Sequence, residues 1–434
     1  MASYRTFCDN RPHAVPHTIA ETELMRCFRY LAFLALLAVG TTTLAADWPR
    51  FRGPNGSGIV DDPSIPLTWS EKSNLAWKVA LPGSGNSSPI VVKDKLFIQS
   101  STKDGTQRML LCLNANTGVI EWSKTNKAHK AHTHVKNSLA SSTPASDGDR
   151  VYTIMWDGSQ VSLVTYDFDG KELWTAVLGG YISQHGPGMS PVAFGGNVYV
   201  NYDQDGEAQF VCFDGKSGKK KWSAERKPFR ACYSSPLIRD IDGGKKEVIN
   251  ASTAGITGYD PESGTVNWNW DWKFDGMALR TVGSPILAGD TVVAVSGDGG
   301  GSRCTVAVTA GAGSHMLWEK KKDTPYVPGP LLKDEHLYWI TDAGMATCAE
   351  LKSGKIIWSE RAFSKPVSSS PILLGDNVLT ISEDGKAVLF KVTPQGFDKV
   401  ADNEFGEAVF STPAVANGRL YVRGAEHLFC IMKK

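Results

Sequence analysis

The chain has 434 residues and carries 46 Lys and Arg against 45 Asp and Glu. A balance this close to zero gives no electrostatic footprint for nucleic acid or an anionic membrane surface, so neither is expected as a partner. The length also exceeds the roughly 250–300 residues that one hydrophobic core sustains, which leaves separate domains or an array of repeats.

The N-terminus reads as a processing signal. Residues 25–30 (MRCFRY) are a short basic stretch, 31–39 (LAFLALLAV) an apolar core, and 43–45 (TLA) a small-residue cleavage site. Residues 1–45 are assigned to this segment, with Met25 the natural start and cleavage expected after Ala45. The apolar core is far shorter than the about 20 residues that cross a bilayer, so no transmembrane segment is expected. The mature protein is expected in the periplasm or outside the cell, as a monomer, with 42 basic and 42 acidic residues. Residues 46–74 form an N-terminal extension.

From residue 75 onward the chain repeats itself. NSSPIVVKDKLFIQS (86–100) returns as SSTPASDGDRVYTIM, MSPVAFGGNVYVNY and SSPLIRDIDGGKKEVINAS, then as four further variants. The prolines of these units are Pro89, Pro144, Pro191, Pro236, Pro285, Pro330, Pro371 and Pro413. A period of roughly 40–50 residues marks a solenoid, propeller or array. Each unit carries a second signature, as in LCLNANTGVIEW (111–122), VCFDGKSGKKKW (211–222) and CAELKSGKIIW (348–358). Short β-rich runs bounded by Gly and Asp turns are strands, and no helical periodicity competes with them.

The residue types suit a four-stranded blade. The Gly supplies positive φ in a tight turn, and the Pro opens a first strand that lies at a sheet edge. The small residue before the Pro suits a crowded hub. Trp122, Trp174, Trp222, Trp268, Trp318 and Trp358 should fill the gaps between blades. Eight units supply three strands each, yet the chain ends before the eighth unit's fourth strand. LAWKVAL (75–81), with Trp77 at the matching place, should supply it. The expected fold is all-β: one eight-bladed β-propeller over residues 75–434, built of four-stranded antiparallel blades and closed by its N-terminal strand. Cys112, Cys212, Cys348 and Cys430 share one repeat position, too far apart for disulfides, and should be buried thiols. Cys232 and Cys304 fall elsewhere, where a bridge stays open.

The repeated Asp-x-x-(Ser/Thr)-Gly-x-x-x-Trp signature resembles the tryptophan-docking repeat of PQQ-like β-propellers. That superfamily includes quinoprotein alcohol dehydrogenases and the propeller lipoprotein of outer-membrane β-barrel assembly. WPRFRGPNGSG (48–58), SQHGPGMSP (183–191) and DQDGE (203–207) resemble an exported bacterial subgroup. The dehydrogenase branch carries adjacent cysteines beneath its quinone; no two cysteines are adjacent here, and no C-x-x-C-H haem segment occurs. The resemblance therefore implies a non-catalytic binding or assembly scaffold working through its axial mouth. Its alternatives are a PQQ-dependent dehydrogenase of alcohols or sugars, with calcium beside the quinone, and a carbohydrate-binding propeller.

Loops leading into first strands and hairpins between second and third strands share one face of a propeller. Unusual polar residues concentrate there: His132, His134 and Asn137 before the second blade, His185 before the third, Arg230 before the fourth, and Trp270, Trp272 and Arg280 before the fifth. With Asp203 they are the candidate ligand-binding residues, for a small polar ligand or a protein or glycan partner. Asn201, Asp203 and Asp205 follow the opening of an EF-hand-like loop, but its twelfth position is Cys212 rather than Glu, so they are weak metal candidates. No catalytic residue is assigned.

Overall fold

Runs of β-branched and aromatic residues between Gly and Asp turns pair with their neighbours in sequence, and a computed structural model shows where that pairing leads. The structure describes Ala2, residues 47–274 and residues 279–434; apart from Ala2, the signal assigned to 1–45, with Met25 and the Ala45 cleavage point, lies outside them. Strand Ile90–Val92 opens a first antiparallel blade, followed by Lys95–Ser101, Gln107–Asn114 and Ile120–Lys127. Six more four-stranded blades occupy 145–180, 192–226, 237–270, 286–320, 331–361 and 372–404, and Ile59–Val60 adds a fifth, parallel strand to the last of them. The eighth holds Ala414–Ala416, Arg419–Arg423 and His427–Met432, and Leu75–Ala80 completes it. That strand runs antiparallel to His427–Met432, with Trp77 opposite Cys430, so the ring closes as the repeat count predicts. Among the described residues, helix is confined to two 3-10 turns, and no helix is long and apolar enough to cross a membrane.

The core lies between blades. Ile90, Phe97, Leu110 and Cys112 of the first pack on Val151, Met155, Val164 and Tyr166 of the second. The third-strand cysteines sit opposite the docking tryptophans, and all six described cysteines are free and buried. Burial pushes the Cys112, Cys212 and Cys430 thiols up to about 12, so they are inert hydrophobes rather than nucleophiles.

All the blade tryptophans but Trp268 dock on the turn of the following blade. Trp222 Nε1 donates to Pro261 O (3.0 Å), and a Cβ on Gly264, whose φ is +73°, would lie 2.5 Å from the indole. Trp77, Trp122, Trp174 and Trp318 repeat this against Gly118, Gly170, Gly218 and Gly354. The glycine is thus required twice, for its backbone and for its missing side chain.

Two joints depart from the pattern. Trp268 turns into its own blade, donating to the buried Glu247 (2.8 Å); Gly258 opposite it leaves the room. Arg239 then links Glu247 (3.1 Å) to Asp290 of the next blade (2.7 Å), so an ion network replaces the docked indole. In the seventh blade Ala401 stands where the tryptophan should be. There Trp69 and Ile65 of the N-terminal extension join the core, and Asn403 bonds Trp69 N (2.7 Å) and Leu67 O (3.0 Å).

Candidate functional site

The residues preceding the eight prolines converge on the axis, and their hydroxyls knit the hub. Ser88 N donates to Thr143 Oγ1 (3.1 Å), and Thr143 N to Ser190 Oγ (2.9 Å). Ser235 N donates to Ser284 Oγ, Gly329 N to Ser370 Oγ, Ser370 N to Thr412 Oγ1, and Thr412 N back to Ser88 Oγ, all at 2.9–3.0 Å. The small polar residue is therefore a blade-to-blade connector as well as a concession to crowding. Gly329 alone lacks the hydroxyl, and a Cβ there would lie 2.5 Å from Arg52 Nη1.

Arg52 belongs to a strap that crosses the ring on the side of the first hairpins, opposite the lead-in loops. Trp48 exchanges backbone bonds with Val91 (2.7 and 2.9 Å), Pro49 O accepts from Ser146 N (2.8 Å), and Gly58 O accepts from Leu373 N (2.8 Å). Arg50 reaches Pro236 O (2.6 Å) and Arg52 reaches Pro330 O (2.5 Å). Burial without a carboxylate partner lowers these guanidiniums to about 10 and about 9. Phe51, between them, faces the axis and lines the cavity.

Above the strap lies an axial cavity of about 430 Å³, walled by lead-in loops and second-to-third-strand hairpins. The His134 and His185 rings lie against each other at a tilt of 42°, with centroids 4.4 Å apart. Asn137 fixes the pair, donating to His185 O (2.7 Å) and Pro187 O (3.1 Å). Desolvation, then the charge of Arg280, lowers His185 to about 4, so its imidazole is neutral at pH 7; its Nδ1 is buried and has no partner. Tyr233 and Tyr326 line the wall, and burial pushes Tyr326 up to about 12.

On the fifth blade's hairpin Asp298 is 3% exposed: its Oδ1 accepts from Gly300 N and Ser302 N (both 2.9 Å), while Oδ2 has no partner. Arg303 lies 3.6 Å from Asp342, whose carboxylate also accepts from Tyr326 N (2.8 Å) and Val327 N (3.1 Å). Across the mouth, Lys136 from the second blade's lead-in loop meets Glu383 of the seventh blade at 2.5 Å.

Of the residues predicted from sequence, His134, Asn137 and His185 line this cavity, and His132 is exposed away from it. Arg230 and the buried Arg280 stand outside the wall and both donate to Gln184 Oε1, at 3.1 and 3.3 Å. Asp203 is fully buried and held by Arg226 (3.0 Å), which also bonds Tyr259 OH (2.7 Å) and Ser252 Oγ (2.8 Å) of the next blade. Asn201 is engaged by Ser234 O (3.3 Å) and Asn250 (3.0 Å), and Asp205 accepts from Ala231 N (2.7 Å). Among the described residues the His and carboxylate cluster with metal-like spacing is instead Glu407, Glu426 and His427. Glu407 there is committed to the backbone N–H groups of Glu426 and His427 (both 2.9 Å). Trp272 packs into the core between the fourth and fifth blades with Leu279 and Cys304, and Trp270 leans on it at 6.0 Å. Sequence reasoning missed Asp298, Arg303, Asp342 and Glu383. All four sit at or beside the recurrent second hairpin, whose Asp-Gly pairs read as turn formers.

The quinone that the resemblance implies is a flat tricarboxylate, and the cavity's donor set does not fit it. The lining cations Lys136 and Arg303 are already matched by Glu383 and Asp342, and Asp298 adds an unmatched carboxylate on the wall.

The family model described as outer membrane protein assembly factor BamB matches residues 68–158 and 131–360. Polyvinylalcohol dehydrogenase of Sphingopyxis sp. (strain 113P3) is 23% identical over 297 residues, covering 63% of this chain and 41% of that protein. The enzyme of the same name from Pseudomonas sp. is 28% identical over 259 residues, covering 49% and 39%. The match thus spans about two fifths of the length of these curated relatives. BamB from Moraxella catarrhalis superposes with a TM-score of 0.60 at 13% identity, over 83% of this chain and 97% of that one. Quinohemoprotein alcohol dehydrogenase from Comamonas testosteroni gives 0.66 at 14% identity, over 89% and 81%. At such identities the superpositions speak to fold alone. With an eight-bladed ring, docked tryptophans and a family model matched over more than half its length, the chain belongs to the PQQ-like β-propeller family.

Proposed function

We propose that this chain is an exported, non-catalytic binding propeller that holds a small polar ligand in its axial cavity. The observation that carries this reading is the shape of the site. The cavity is closed on one side by Phe51 and the strap and bridged on the other by Lys136 and Glu383, with polar groups converging on it from most of the blades. Concave, largely pre-formed sites with a few convergent polar groups are where propellers and other scaffolds take ligands. A scaffold role toward a protein or glycan partner would use the same mouth.

The likeness to polyvinylalcohol dehydrogenases favours a second reading, a quinone-dependent dehydrogenase. Adding PQQ and calcium to the purified protein and recording the quinone absorbance after gel filtration separates the two. The binding reading expects no stoichiometric quinone and no reduction of an artificial electron acceptor with polyvinyl alcohol or small alcohols. Stoichiometric quinone, together with acceptor reduction lost on filling the cavity by Ser235→Trp, would establish the dehydrogenase instead.

A further inference from the structure

We infer that Gln184, Arg230 and Arg280 form a second binding site beside the axial mouth, one that takes an oxyanion, the carboxylate or phosphate group of a small ligand. Three successive lead-in loops bring one side chain each to a single point. Arg230 Nη2 and Arg280 Nη2 both donate to Gln184 Oε1, at 3.1 and 3.3 Å. Arginine can only donate, so the amide must present its oxygen to the pair. Two guanidiniums thus share one neutral oxygen, and among the described residues neither forms an ion pair. Asp205, on the hairpin beside them, commits one oxygen to Ala231 N (2.7 Å) and pairs with neither.

The contrast with the other buried arginines points to a ligand. Arg226 and Arg239 donate to the carboxylates of Asp203 and Glu247, and Arg50, Arg52, Arg108 and Arg423 to backbone carbonyls. Those acceptors are fixed in the fold. Gln184 is exposed, so its amide can swing out and yield its place to an oxygen from solution. The shared point is therefore reachable, although Arg280 itself is only 3% exposed. Hydrogen bonds to an ionised acceptor are roughly twice as strong as those to a neutral one, and an oxyanion replacing the amide would gain on both arginines at once. The unmatched positive charge already acts on a neighbour: after desolvation, the charges of Arg280, His134 and Arg230 lower His185 to about 4. The loops are also tied to one another before any ligand arrives. Tyr233 OH bonds Ser183 Oγ (2.7 Å), Tyr233 N donates to Thr281 O (2.8 Å), and Arg280 exchanges backbone bonds with Gly297 (both 2.9 Å). Pre-organised donors keep the ordering cost of binding low. The site stands outside the wall of the axial cavity and does not depend on what the cavity takes.

Isothermal titration of the purified protein with inorganic phosphate, acetate and acetamide tests this, because acetate and acetamide share a shape and differ in charge. Phosphate or acetate should bind at least about tenfold more tightly than acetamide, and the tighter of the two names the group. Arg230→Gln should weaken anion binding by about tenfold or more. Gln184→Ala removes the competing oxygen and should tighten it. Gln184→Glu supplies a carboxylate from within the chain, so it should abolish anion binding and raise the unfolding temperature. These substitutions fall on exposed or half-buried side chains, which the fold should tolerate. His185 gives a second readout: saturating phosphate should raise its titration midpoint, followed by NMR, in the parent protein and not in Gln184→Glu. No saturable binding of either anion, acetamide bound as tightly as acetate, or anion binding indifferent to Arg230→Gln and Gln184→Glu would overturn the inference.

Discussion

Replacing Trp222 and Gly264, singly and together, tests whether the rings of neighbouring blades are coupled through docking. Trp222 is half-buried, contacts Tyr199, Phe210 and Tyr259 with ring centroids 5.5–6.1 Å apart, and bonds Pro261 O. Trp222→Ala should cost about 3 kcal/mol, the low end for a large aromatic because part of the indole stays wet. Gly264→Ala forces a side chain into the left-handed region, about 1–2 kcal/mol, and drives a Cβ to 2.5 Å from the indole, about 1–3 kcal/mol of overpacking. Once Trp222 is gone the second cost disappears and only the backbone strain remains. The double variant should therefore be more stable than the sum of the singles predicts, by about 2 kcal/mol. Equilibrium urea unfolding of the four proteins measures this directly. Additivity within about 0.5 kcal/mol would show that the turn and the indole do not act as one unit.

Deleting residues 46–60 should lower stability by at least about 3–5 kcal/mol, the cost of losing the fully buried Trp48 alone, and should be read by thermal unfolding. His185 titrates near 6.5 when unfolded and about 4 when folded, so the unfolded chain takes the proton first. Stability should be full above pH 6.5 and fall toward pH 4 by about 2 kcal/mol, allowing for partial solvent screening, relative to His185→Gln. Lys136→Gln should open the mouth. With Ser235→Cys as reporter on the cavity wall, a charged thiol reagent should react several-fold faster than in the Lys136 parent, and equal rates would show that the ion pair does not guard the cavity. N-terminal sequencing of exported material should begin at Ala46, and material retaining 25–45 would refute the cleavage assignment.

Much of the fold was legible because each repeated letter has one physical task. Pro at a strand start, Gly in a left-handed turn and Trp at a blade joint recur with the same meaning, and LAWKVAL could be placed by counting strands. The joints at Trp268 and Ala401 were not legible, because the first depends on Gly258 making room and the second on a partner, Trp69, more than 330 residues away in sequence. The site was half legible. His134, Asn137 and His185 stood out because histidines and amides interrupt otherwise repetitive lead-in loops. Asp298 did not, since Asp-Gly at that hairpin is what any tight turn would use. Asp203 stood out for a similar reason, and its carboxylate proves to be taken by Arg226, a residue whose position at the end of a fourth strand gives no hint of the pairing.

The departures from the repeat divide by whether the protein itself answers them. Gly329 gives up the hub hydroxyl, and Arg52 fills the space; Gly258 gives up a side chain, and Trp268 with Glu247 fills it; Ala401 gives up the indole, and Trp69 joins the core beside it. Each loss is compensated inside the ring, so each is explained by folding alone. Asp298 and His185 are different: both residues line the axial cavity, and each keeps one buried polar atom without a partner among the described residues. The strap bears on the proposed binding role: a ring needs no plug to stand, but a ligand site open at both ends would bury less of its occupant. Phe51 of the strap lines the axial cavity and closes it on the side of the first hairpins, so the axis is a pocket rather than a channel.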